Sequence, residues 1–280
     1  MISTPDLNAV FGFSVVVACA GFAAGFVGGL FGGGGGMIVI PTLYQAFERL
    51  GVPADVRLHL VVGTSLAAVV PLSVLGARSH WRQGNVDIAM LKPLLPAALL
   101  GSIAAGVVGR RLDAHALAWL FVAVAALTSW RMVGQSKPQA IASEQTRPQR
   151  LGKPAMGVLG LAIGCVSTLV GIGGATLTVP VLHLSGAKMR HAIGTSATLG
   201  MAIALPGAAS LALAGSTAEN LPIGSFGYVN LVAAAILFAV GAVGVSAGSR
   251  LTKRLDEKLL RRLFAVLLMA SAVRLAVSTA

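Results

Sequence analysis

Two glycine clusters carry most of the chemistry legible in this 280-residue chain. One is the unbroken run Gly32 to Gly36; the other comprises Gly171, Gly173 and Gly174. Each lies within a stretch free of Asp, Glu, Lys and Arg, 41 residues for Leu7 to Phe47 and 34 for Pro154 to Ala187. A helix that stops at glycine and restarts exposes the unpaired backbone N–H groups of its new first turn, which carry roughly half a positive charge. Such an end holds an anion without any charged side chain. The restarts at Gly34, Gly35 and Gly36, and at Gly173, Gly174 and Ala175, are therefore candidate substrate-binding positions. The repeated triplets Gly63-Thr64-Ser65 and Gly194-Thr195-Ser196 add the hydroxyls of Thr64, Ser65, Thr195 and Ser196 as candidate donors, the competing reading being a bond back to the helix's own carbonyl.

Other chemistries lack their residues. All nine acidic side chains fall in tails, loops or helix ends, whereas cation and proton pumps keep a carboxylate within the membrane despite its cost. No Walker lysine follows the glycines, and Gly32-x-Gly34 does not follow a strand pattern. His59, His183 and His191 fall near helix ends and His80 and His115 in or beside loops, without an HExxH-type partner; interfacial packing is expected, with proton coupling as the alternative. Cys19 and Cys165 sit in apolar segments as small packing residues, forming neither a disulfide framework nor a metal site. No catalytic residue, metal or cofactor is expected.

The elements that position the glycines are membrane helices. Apolar residues make up 56 % of the chain and charged ones 11 %, too few to coat a soluble domain, which carries about 25 %. The excess of 21 basic over 9 acidic residues marks cytoplasmic helix ends rather than nucleic-acid binding, since no basic stripe alternates with exposed aromatics. Windows of bilayer-spanning length occur at Leu58 to Ala77, Asp87 to Gly109, Asp113 to Trp130, His191 to Ala218, Asn220 to Ser249 and Leu259 to Ala280. The glycine-broken runs read as a helix and a shorter returning piece, Met37 to Glu48 and Thr176 to Ser185, with a re-entrant hairpin as one form. Met1 to Asn8 lacks the basic residues of a secretion signal.

The broken runs also align with each other. Gly25 to Pro41 and Gly164 to Pro180 match without gaps at an offset of 139, identical at seven of 17 positions. The triplets recur, and Leu112-Asp113 through Leu120-Phe121 answers Leu255-Asp256 through Leu263-Phe264 at an offset of 143. The expected fold is an all-α polytopic membrane protein of two inverted repeats of about 140 residues. Each repeat holds a glycine-broken pair plus three long helices: residues 1–133 and 153–280, joined by a cytoplasmic linker at 134–152. With both termini periplasmic, 16 of the 21 basic residues lie inside; a single crossing for each broken run would split the same residues 9 to 12. The positive-inside rule selects the inverted arrangement. GxxxG spacings at Gly21/Gly25, Gly28/Gly32, Gly160/Gly164 and Gly244/Gly248 predict close helix packing.

Several segments resemble the sulfite exporter TauE/SafE family over nearly the whole chain, from about Val10 to Leu275. They are Gly32 to Gly36 ending at Pro41, His80 to Asp87, Gly171-Ile172-Gly173-Gly174, and Leu221-Pro222 through Gly227-Tyr228-Val229-Asn230. Ile172 and Ala175 depart from the glycines of the first run. The resemblance implies a bacterial inner-membrane permease for sulfite, organosulfonates or related anions, commonly working outward. Electrostatics agree: across about 100 mV, negative inside, a departing dianion gains about 4.6 kcal/mol. The expected function is export of a small sulfur anion by alternating access, its partners being that anion and lipid. Uptake of a sulfonate or other small metabolite, and a non-transport intramembrane enzyme or scaffold, are the alternatives. An apolar outer face serves lipid or a homo-oligomer equally.

Overall fold

A computed structural model describes residues 7–32, 35–109, 152–218 and 221–279, together with short stretches between 119 and 130. The central linker and most of the window Asp113 to Trp130 lie outside the described residues. Nine helices are described: α1 (Leu7–Phe31), α2 (Gly36–Arg49), α3 (Ala54–Arg82), α4 (Ile88–Gly109), α5 (Lys153–Val170), α6 (Ala175–Leu184), α7 (Met189–Ala214), α8 (Leu231–Thr252) and α9 (Glu257–Thr279). Five are long and apolar enough to cross a membrane: Phe11–Phe31, Ala54–Arg82, Ile88–Gly106, Met189–Ala214 and Leu231–Thr252. The returning pieces α2 and α6 have 14 and 10 residues, less than the roughly 20 that a crossing requires.

One expected span is shorter than its apolar window. Residues 221–230 form a small hairpin, β1 (Ser225–Phe226) antiparallel to β2 (Val229–Asn230), ahead of α8. Gly224 and Gly227 adopt φ of +81° and +54°, values that favour glycine and that helical continuation does not allow. Asn230 then starts α8 by accepting from the Ala233 N–H at 2.8 Å. Asp87 does the same for α4, its Oδ1 accepting from the N–H groups of Ala89 and Met90 at 2.9 and 3.2 Å.

The helices pair across the chain rather than along it: α1 packs on α8, α4 on α5, and α3 on α7 at the centre. Glycine sets the first two contacts. A Cβ on Gly21, Gly25 or Gly29 would strike the backbone of Leu237, Gly241 or Val245, and one on Gly244 or Gly248 would strike that of Phe22 or Phe26. The same contact recurs in α4 and α5, where Gly160, Gly164 and Gly101 face Leu94, Ala98 and Leu161. Close backbone approach maximises dispersion contact where lipid offers no hydrophobic drive. Gly32 also lies in close contact, against the Ile193 backbone, but beyond the end of α1 at φ +78° rather than on a helix face.

Contact order along the helices fixes their directions. α1 and α8 run the same way, as do α4 and α5. α3 runs with α8, joining Thr64 to Asn230 and Ser79 to Ser249. α4 runs with α7, from the Asp87–Thr195 contact to that of Ser102 with Ile203. α3 and α7 oppose each other, Leu66 meeting Gly207 and Ser73 meeting Gly200. α1 and α2 form an antiparallel pair, Gly35 lying against Ala24 and the rings of Phe13 and Phe47 touching at 5.7 Å.

Candidate functional site

The two glycine breaks meet inside the bundle. A Cβ on Gly36, the first residue of α2, would lie 2.6 Å from the Gly171 carbonyl oxygen and 2.7 Å from Ile172 Cα. Gly200 of α7 touches the Gly173 carbonyl in the same way, at 2.5 Å from its would-be Cβ. At the second break α5 ends on Gly171 in the left-handed region, whose N–H bonds back to the carbonyls of Ser167 and Thr168. This is a glycine C-cap. Gly173 and Gly174 follow at φ +69° and +89°, so three of the four residues Gly171 to Gly174 need a conformation that side chains oppose. Neither Gly35 nor Gly174 is covered by a side-chain cap, so the first-turn N–H groups of α2 and α6 have no capping side chain.

Of the expected binding positions, Gly36 lies against the second break, Gly35 packs on Ala24, Gly173 and Gly174 lie beside Gly200 of α7, and Ala175 opens α6; Gly34 lies outside the described residues. The hydroxyls of the triplets surround the breaks but are engaged with backbone. Ser65 donates to the Gly171 carbonyl at 2.9 Å, and Ser196 donates toward the carbonyls of Gly32 at 3.2 Å and Ile193 at 2.8 Å. Each serine thus reaches the break in the other half of the chain. The threonines make the same exchange one layer away: Thr64 Oγ1 accepts from Asn230 N–H and Thr195 Oγ1 from Asp87 N–H, both at 2.9 Å. Gly63 and Gly194 lie against the carbonyls of Tyr228 and Asn85. These four hydroxyls are 0 % exposed, and those of Ser65 and Ser196 have their single protons committed to carbonyls.

His80 lies beside a loop, as expected, and is fully buried in the last turn of α3. Its Nε2 donates to the Gly29 carbonyl at 3.0 Å, tying α3 to the end of α1 that precedes the first break. His59 is buried beside the Tyr228 ring, centroids 5.2 Å apart. Of the cysteines, Cys165 is half-buried whereas Cys19 is exposed on the bundle's outer surface rather than packed. Among the described residues no group of three or more His, Cys, Asp or Glu could hold a metal ion.

A cavity just large enough for a water molecule adjoins the first break, lined by Ala24, Gly28, Gly35, Val69, Leu72 and Ser73. Sequence reading passed over Ser73, because an isolated serine in an apolar helix gives no signal of its depth. Basic side chains gather away from the breaks, at one end of the bundle. Arg190 donates to the carbonyls of Lys253 and Leu255 there, and Gln83, next to Arg82, donates to the Ser249 carbonyl. At the opposite end Arg57 pairs with Glu48 at 2.6 Å and holds the Val52 carbonyl, closing the turn between α2 and α3.

The model of the family described as sulfite exporter TauE/SafE matches residues 17–275. A probable membrane transporter protein of Haemophilus influenzae is 30 % identical over 266 residues, covering 95 % of this chain and 99 % of that protein. Another, from Methanocaldococcus jannaschii, is 27 % identical over 240 residues and 85 % of each chain; one from Bacillus subtilis is 25 % identical over 283 residues, 94 % of this chain and 99 % of its own. No solved structure matches. The chain is a membrane transporter that belongs to the sulfite exporter TauE/SafE family.

Proposed function

We propose that the protein exports a small sulfur oxyanion or organosulfonate across the bacterial inner membrane by alternating access. The observation that carries the reading is the uncapped start of α2 at Gly36 lying against Gly171 and Ile172, in the break that leads to the uncapped start of α6, within an apolar bundle. Their N–H groups attract an anion at a depth where a charged side chain would be costly. The substrate sits between Gly34, Gly35 and Gly36 on one side and Gly173, Gly174 and Ala175 on the other. Ser65 and Ser196 act on it chiefly by holding the breaks in place, and Thr64 and Thr195 by holding the chain at Asn230 and Asp87, where α8 and α4 begin.

Inverted repeats supply the motion. The directions of α1, α3 and α4 against α5, α7 and α8 support an inverted relation between 1–133 and 153–280, and a repeat of this kind rocks about a central site. Closure of the breaks onto one another then corresponds to a state with no passage, which one repeat opens by moving against the other. The gathering of Arg190, Arg250, Lys253 and Arg254 at one end favours that end, and the linker, being cytoplasmic, with both termini periplasmic. Membrane voltage alone drives the anion outward.

Anion flux in liposomes tests the reading. Reconstituted protein is expected to release trapped sulfite or methanesulfonate under an inside-negative voltage, faster than protein-free vesicles, and to do so without an added coupling ion. Equal rates with and without protein overturn it.

A further inference from the structure

We propose that Ser73 is the side-chain donor to the transported anion, making the first break the principal binding side; this rests on the sulfur-anion reading above. Ser73 lies on α3, is 2 % exposed, and its Oγ has no hydrogen-bond partner. Buried hydroxyls seldom go unpaired, because an unmade bond forfeits the group's hydration. In a helix the usual remedy is a bond to the carbonyl four residues earlier. Thr42, Thr178 and Ser185 all adopt it, bonding Ile38, Gly174 and Val181. Ser73 does not, and instead faces the cavity that it shares with Gly35, where α2 begins.

Its placement joins both breaks. Gly35 is the uncapped N-cap of the 14-residue helix α2, and Gly200, which packs on the Gly173 carbonyl, would carry a Cβ 3.4 Å from Ser73 Oγ. An oxyanion received by the first turn of α2 would find in Ser73 an O–H with no competing acceptor. The second break lacks this arrangement. In the register of the triplets, Ala204 stands where Ser73 does, and Ile203 reaches to 2.9 Å from a would-be Cβ on Gly174. Ser167 is also buried without a partner, but at the position that Gly28 occupies in the first half, on the helix before the break. A water-sized cavity and an available hydroxyl coincide beside Gly35.

Thermal unfolding of the purified full-length chain in detergent, titrated separately with sodium sulfite and methanesulfonate, tests this. The wild-type midpoint is expected to rise with one or both anions. Ser73→Ala removes an unpaired buried group, so its ligand-free midpoint should equal or exceed the wild type while its affinity falls about tenfold or more. Ser73→Cys, similar in size and a weaker donor, should fall between and serves if the alanine variant does not fold. Wild-type affinity in the variants overturns the assignment, as does a lowered ligand-free midpoint at unchanged affinity, which marks a packing role. A wild-type protein indifferent to both anions overturns the substrate class itself, and this inference with it.

Discussion

Gly174 and Gly51 share a positive φ, +89° and +74°, yet differ in surroundings. A Cβ on Gly174 meets Ile203, whereas one on Gly51 meets nothing within 4 Å. Both Gly174→Ala and Gly51→Ala should lose about 1 to 3 kcal/mol from backbone strain, read as a lowered unfolding midpoint. Only Gly174→Ala should also slow anion flux; equal flux losses would show that strain anywhere suffices. Ser65→Ala and Ser196→Ala strip a donor from the carbonyls of Gly171 and Gly32, at about 1 kcal/mol each. If these serines position the breaks, each variant slows sulfite and sulfate flux in the same proportion. A changed ratio between the two anions would assign the hydroxyl to the substrate. That these hydroxyls face backbone was not legible in the triplets, since a hydroxyl's partner depends on which strand or loop the fold brings to it.

At the scale of elements, the glycines of α1 and α5 were legible as contact faces, but their partners were not. Gly25 marks a thin side of α1; that Gly241 of α8 fills it follows from the packing of the whole bundle. Gly25→Val drives two methyl groups into the Gly241 carbonyl and should abolish accumulation of folded protein. Gly12→Val on the same helix meets nothing and should leave expression and flux near wild type. The starts of α4 and α8 differ in strength. The Asp87 carboxylate bonds the N–H groups of its own helix and lies partly exposed, while Asn230 is 3 % exposed and its side chain also donates to the Ile223 carbonyl and Ser225 Oγ, bracing the hairpin. Asp87→Ala should therefore cost about 1 kcal/mol, and Asn230→Ala more, as the order of unfolding midpoints will record. The hairpin went unread because its residues are apolar enough to extend the α8 window, and the positive φ of Gly224 and Gly227 appears only in the folded backbone.

At the scale of the molecule, orientation is the testable quantity. With Cys19 and Cys165 replaced by alanine, single cysteines at exposed Ala54 and Lys253 occupy opposite ends of the bundle. A membrane-impermeant maleimide added to intact cells should label Ala54→Cys and spare Lys253→Cys until the membrane is opened; the reverse pattern would invert the proposed topology. A cysteine in the 134–152 linker should behave as Lys253→Cys does.

By itself the sequence determined that the chain lives in lipid, where its helices break, and that its two halves share motifs, because low charge, glycine runs and self-similarity are properties of order along the chain. It also contained the family resemblance. Only the tertiary structure decided that α1 pairs with α8 and α4 with α5, that Ser65 and Ser196 cross to the opposite breaks, and that Ser73 is left without a partner. The physical reason is that an apolar helix surface carries no address. In a chain so uniform in hydropathy, partners are selected by where Cβ atoms are missing on both helices at once, and by which buried hydroxyls find a carbonyl.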